Sequence, residues 1–255
     1  MKLVTASALM ALGLGVAGTA SAQSTWNLLN SCNPNGGTTT VATCTSGGKA
    51  VTVTAYAAGS GEKFAGASMT EWTSNGSTLG IGVSYNGEPT GSPNHAIDNE
   101  TKTELVMLNF TTATMLSALS IGWYQTDADI SVLRWTGQGT PDLTKTTVAG
   151  LTTAGSGWTL VSSSDVDPSY SWSFNGGGYS SWWLISSYFG ASTGDDRNDN
   201  VLGAGNDYFK LLSFTGTTQS GGGSGGSVPE PGSLALAGLA IAGLVGAKRR
   251  RAQTV

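Results

Sequence analysis

Short runs of β-branched and aromatic residues, each closed by Gly, Asn, Asp or Pro, recur through the middle of this chain. Nowhere does an apolar stripe of period 3.6 persist for three turns, so the pattern predicts strands joined by turns. The runs are Lys49 to Ala57, Ser77 to Tyr85, Glu104 to Thr111, Ala118 to Gln125, Asp129 to Trp135, Trp158 to Ser163, Ser169 to Phe174, Tyr179 to Phe189 and Tyr208 to Phe214. The fold read from them is all-β, an antiparallel β-sandwich of jelly-roll type. The stretch SYSWSFNGGGYSSWW predicts a hairpin that turns at Asn175 to Gly178, where glycines accept positive φ.

Both ends of the chain depart from this pattern. Residues 1–22 open with Lys2, continue as an apolar run and close on Ala20-Ser21-Ala22, the form of a secretory signal peptide handled by the Sec export machinery. Residues 217–227 are a Gly/Ser tract that cannot bury a core and reads as a linker. Between them, residues 23–216 are long enough for one β-sandwich domain with a sizeable core.

Without the two ends the chain keeps 7 basic and 15 acidic residues, a net charge of −8. Nucleic acid, which needs clustered Lys and Arg, is excluded as a partner on this charge balance. Only 11% of all residues are charged, against about 25% in typical globular domains, which fits a secreted, turn-rich protein. Cys32 and Cys44 are the only cysteines, and in an oxidising compartment they are expected to pair.

Residues 228–255 combine an extended Val228-Pro229-Glu230-Pro231, an apolar run from Leu234 to Ala247 and a basic end, Lys248, Arg249, Arg250 and Arg251. As a helix the run would be about 21 Å long, a short single transmembrane span that needs its flanks or local thinning to cross a bilayer of about 30 Å. The basic end sets its cytoplasmic side by the positive-inside rule. Prolines keep the preceding segment extended and readable by an enzyme.

This combination resembles the PEP-CTERM sorting signal. The resemblance implies recognition and cleavage by exosortase, a membrane-embedded transpeptidase of exopolysaccharide-producing Gram-negative bacteria. It implies a protein held transiently in the inner membrane and then placed at the cell surface or outside the cell. Within the body, NHAIDN at Asn94 to Asn99, LVMLNF at Leu105 to Phe110, IGWYQTDADISVLRW at Ile121 to Trp135, GWTLV at Gly157 to Val161 and SSWWLISSYF are similar to a group of exosortase-dependent surface proteins. That resemblance implies a place in a biofilm or polysaccharide matrix and brings no enzymatic activity.

Asp127 and Asp129 lie two apart, so on a strand both carboxylates share one face. With Asp98 and Asn99 from the NHAIDN segment they would make an oxygen-rich cluster suited to Ca²⁺. The same residue types also serve as turn formers that satisfy backbone amides. In Gly194 to Asp207 the spacing imitates an EF-hand, but Val201 stands where the sharp turn needs glycine. Gly190-Ala191-Ser192-Thr193-Gly194 matches a nucleophile elbow without the helix that should follow it, and His95, the only histidine, precedes the serine. No catalytic residue is assigned.

Aromatics crowd the segment from Trp172 to Phe189, and adjacent Trp182 and Trp183 must face opposite sides of a strand. One of them is a candidate for stacking on a glycan, and core packing is the other reading. The function read from the sequence is thus an exported, exosortase-processed matrix or surface protein with a structural or exopolysaccharide-binding role. The alternatives are a glycan hydrolase using acidic pairs such as Asp127 and Asp129, and a calcium-stabilised adhesion module.

Overall fold

The structure, a computed structural model, describes residues 22–33, 38–74, 76–89, 91–167, 169–190, 202–203 and 205–219. They belong to the first of two compact units, residues 1–219 and 220–255. The leader, the linker beyond Gln219, the sorting tail, Ser192 and most of the Gly194 to Asp207 loop lie outside the described residues. No described helix is long and apolar enough to cross a membrane.

Among the described residues the chain is all-β. Its strands are β1 (Gln23–Asn27), β2 (Cys32–Asn33), β3 (Thr38–Thr39), β4 (Val41–Ser46), β5 (Lys49–Ala58), β6 (Ala65–Gly66), β7 (Ser68–Ser74) and β8 (Ser77–Ser84). They continue as β9 (Ile97–Asp98), β10 (Thr103–Tyr124), β11 (Asp129–Trp135), β12 (Trp158–Asp165), β13 (Ser171–Ser173), β14 (Ser180–Ser187) and β15 (Tyr208–Thr218). Every pairing between them is antiparallel.

The 22-residue β10 organises the fold. Its first half, Thr103 to Phe110, lies between β5 and β14. The register then shifts between Asn109 and Thr114, and the second half pairs with β15 along one edge and β13 along the other. The two runs predicted here as separate strands are therefore one strand, carried through TTATMLS by the β-branched threonines that suit a pleated surface. Its two halves thereby join β5 and β14 to β15 and β13 within one sandwich-like antiparallel sheet system.

Alternation along β10 divides the core. Val106, Leu108 and Phe110 face the main core, where Trp26 sits 5.1 Å from Phe110 and 5.6 Å from Phe214, ring centre to ring centre. Leu105 and Met107 face the other way, onto Leu184, Leu133 and Trp158, and are covered by Phe64, Leu143 and Leu151. Leu143 and Leu151 come from two 3-10 turns between β11 and β12, the first capped by Asp142, whose Oδ1 accepts from the Thr144 amide at 3.1 Å. Burial on both faces explains why LVMLNF and SSWWLISS are nearly continuous apolar runs.

The expected hairpin at Asn175 to Gly178 does not form. β13 and β14 do not pair with each other; both lie against β10, at Ala118 to Ser120 and at Leu105 to Thr114. The longer strand offers each of them a full ladder, and the glycine turn only carries the chain from one to the next. Gly178 has φ 149°, and a side chain there would strike the Arg134 guanidinium. β15 also runs to Thr218, two residues beyond the boundary read from composition.

Candidate functional site

At one end of the sandwich β10 reverses into β11 through Thr126, at φ 68°, so that Asp127 bridges Asp207 and Asp129 opens β11 opposite Asp165. Asp127, Asp129 and Asp207 are all fully buried. Each places a carboxylate oxygen within 4.8 Å of the other two, and Asp127, Asp165 and Asp167 do the same. Asp127 thus joins two acidic trios into one cluster of five carboxyls.

Backbone amides orient these groups. Asp207 Oδ1 accepts from the Asp129 amide at 3.0 Å, and Asp129 Oδ2 from the Gly203 amide at 2.7 Å. Asn99 clamps the site: its Nδ2 donates to Asp207 Oδ2 and to the Tyr188 carbonyl, while its Oδ1 accepts from the amides of Gly205 and Asp207. Asn99 is therefore an organiser whose polar atoms are already engaged.

Like charges this close repel by about 3 to 4 kcal/mol per pair at an effective dielectric constant of about 20. No Lys or Arg among the described residues forms an ion pair with Asp165, Asp167 or Asp207. Burial, then the charge of Asp129, pushes Asp207 well above the usual carboxylate range. Burial, then Asp167, pushes Asp165 up to about 8. The all-oxygen donor set of this cluster is of the kind that suits Ca²⁺.

Of the four residues grouped by sequence, the structure brings Asp127, Asp129 and Asn99 together and sends Asp98 elsewhere. Asp98 joins Glu88 and Glu104 in a separate trio. Asp207, Asp165 and Asp167 were missed as members. Asp165 and Asp167 repeat the two-residue spacing of Asp127 and Asp129 at the end of β12, which is the signal that could have found them.

The aromatic candidates also part. Trp183 is fully buried in the main core, and its Nε1 donates to the carbonyls of Thr114 and Ser180 at 3.0 and 3.2 Å. A ring with no accessible face cannot stack on a sugar, so Trp183 is a packing residue. Trp182 is half-buried against the second core.

A different aromatic pair lines an open cleft of about 430 Å³, walled by Trp72, Leu79, Asn94, His95, Trp123 and Lys210. Trp123 and Lys210 are cross-strand neighbours of β10 and β15, and the Lys210 ammonium lies 4.4 Å from the Trp123 ring centre and 5.0 Å from that of Trp72. His95 stacks on Trp72 at 5.6 Å, and its carbonyl accepts from Lys210 Nζ at 2.9 Å. Both tryptophans are partly exposed. A lone lysine inside YFKLLSF, facing opposite to Phe209 and Leu211, was the sequence hint to this face.

Cys32 and Cys44 face each other on β2 and β4 and form the disulfide.

Residues 227–251 match the family model of the PEP-CTERM protein-sorting motif. The chain carries a PEP-CTERM sorting motif. The match covers the same Val-Pro-Glu-Pro, apolar run and basic cluster described above, and this motif implies an exosortase-sorted surface or extracellular protein. No curated protein and no solved structure matches the chain.

Proposed function

We propose that this PEP-CTERM protein is a matrix or surface binding protein that contacts exopolysaccharide through the Trp72–Trp123 cleft, and that it is not an enzyme. The cleft carries the reading. Its volume is in the range of small-ligand sites, with apolar walls and a few polar groups. The partly exposed rings of Trp123 and Trp72 offer apolar surface to the C–H face of a pyranose ring beside the Lys210 and His95 that already pack on them, and Asn94 and His95 supply hydrogen-bonding groups at the rim. The mature chain's net charge of −8 disfavours polyanions, so a neutral sugar is the fitting ligand.

A calcium-stabilised module is the second reading, favoured by the convergence of Asp127, Asp129 and Asp207 at the strand ends. In that role Asp129 and Asp207 hold the ion while Asn99 fixes Asp207. Exosortase and the export machinery act on the protein through its two ends, with the apolar tail in the membrane before processing. The test is retention on the producer's own polysaccharide in affinity electrophoresis: wild-type migration should be retarded and Trp123→Ala should run as without polysaccharide.

A further inference from the structure

We propose that Glu88, Asp98 and Glu104 form a second divalent-cation site, suited to Ca²⁺, which fastens the segment between β8 and β10 to the sandwich. Three separate pieces of chain meet there. Glu88 follows β8 in a turn whose amide donates to the Tyr85 carbonyl at 3.2 Å. Asp98 lies on β9 opposite Tyr208 of β15, and Glu104 is the second residue of β10. One carboxylate oxygen of each lies within 4.8 Å of the other two.

All three carboxyls are withdrawn from water: Glu104 is 0% exposed, Asp98 3%, and the Glu88 side chain 4%. Backbone amides hold one oxygen on two of them, Glu100 N to Asp98 Oδ1 at 3.1 Å and Asp98 N to Glu104 Oε2 at 3.3 Å. The remaining oxygens, Asp98 Oδ2 and Glu104 Oε1, together with Glu88 Oε2, accept no hydrogen bond. Buried acceptors are normally satisfied, and three unsatisfied ones on one trio call for a ligand.

The neighbouring bases do not fill that role. His95 Nδ1 is 4.0 Å from Glu88 Oε2 and is held by Ser84 Oγ at 2.6 Å. Burial, then the charge of Lys210, pushes His95 below its ordinary value. Lys210 donates to the His95 carbonyl and forms no ion pair with any of the three carboxylates, and its charge acts on all three only from beyond ion-pair distance. Burial is the main cause that pushes Asp98 up to about 7 and Glu104 well above the usual carboxylate range, and the charge of Lys210 only partly offsets it. Hard oxygen donors without nitrogen or sulfur select Ca²⁺ over transition metals.

This site shares no ligand with the Asp127 cluster and stands whether or not the cleft takes sugar. Its consequence is nonetheless felt there, because Ser92, Asn94 and His95 of the fastened segment form one wall of the cleft.

The test is isothermal titration of the full-length, EDTA-stripped chain in detergent with CaCl₂ at pH 7.5, for wild type, Glu104→Gln and Asp207→Asn. The expected result is that Glu104→Gln loses one bound Ca²⁺ per chain, or weakens that step at least tenfold, while Asp207→Asn retains it. If Glu104→Gln does not fold, Asp98→Asn takes its place. Equal stoichiometry and affinity in wild type and the trio variant would overturn the proposal, as would a wild type that binds no Ca²⁺. Loss confined to Asp207→Asn would support the Asp127 cluster alone and equally overturn this second site.

Discussion

Asp98 and Asn99 are neighbours in the chain whose side chains serve different acidic clusters: Asp98 meets Glu104 and Glu88, while Asn99 donates to Asp207. Asp98 ends β9 and Asn99 follows it directly as the chain leaves the strand, so the two side chains reach different partners. The NHAIDN segment is thereby pinned at two places.

Calcium should matter to stability. With Ca²⁺ at a hundred times its Kd, one site adds about 2.7 kcal/mol, and a domain of this size shifts by about 2 to 4 °C per kcal/mol. Removing Ca²⁺ with EDTA should therefore lower Tm by about 5 to 10 °C in differential scanning calorimetry, and Asp207→Asn should shrink that shift. An unchanged melt would remove the calcium reading.

Trp183 and Trp123 should separate packing from binding. Trp183→Ala empties a fully buried site and should cost about 3 to 5 kcal/mol in urea unfolding. Trp123→Ala, at a partly exposed ring, should leave the unfolding midpoint nearly unchanged and abolish retention on polysaccharide. Retention unaffected by Trp123→Ala would move the binding face elsewhere.

Gly82 sits where the cleft wall crosses β8. A Cβ there would overlap the His95 carbonyl, the group that anchors Lys210. Backbone cannot swing aside as a side chain can, so Gly82→Ala should cost about 1 to 3 kcal/mol and weaken polysaccharide retention together with stability. Wild-type values for both would show that the wall is not held at His95.

The Cys32–Cys44 disulfide closes a short loop with a separation of 12 residues. Reduction, or Cys32→Ala with Cys44→Ala, should lower unfolding free energy by about 3 kcal/mol. Urea midpoints with and without reductant measure it.

Fold class was legible because short β-branched and aromatic runs closed by turn residues recur along the chain and β5 alternates buried and half-buried residues. The unity of β10 was not, since the polar TTATMLS looks like a connection until β15 and β14 are placed beside it. In the site, Asp127 and Asp129 were legible from spacing within one strand. Asp207 was not, because it arrives from 78 residues further on, as the partner of the Asp129 amide. Trp72 and Trp123 were hidden for the same reason: only sheet registration sets them around Lys210. The density of aromatics near Trp183 drew attention to a region whose rings mostly build the core.

The most direct test of the account is the intact mass and location of the native protein in its own bacterium, beside a Pro229→Ala variant. The account predicts a wild-type protein outside the cell that begins near Gln23 and lacks the segment from Leu234 to Val255, with the variant held uncut in the inner membrane. A wild-type protein that keeps its whole tail in the membrane, unaffected by the substitution, would contradict it.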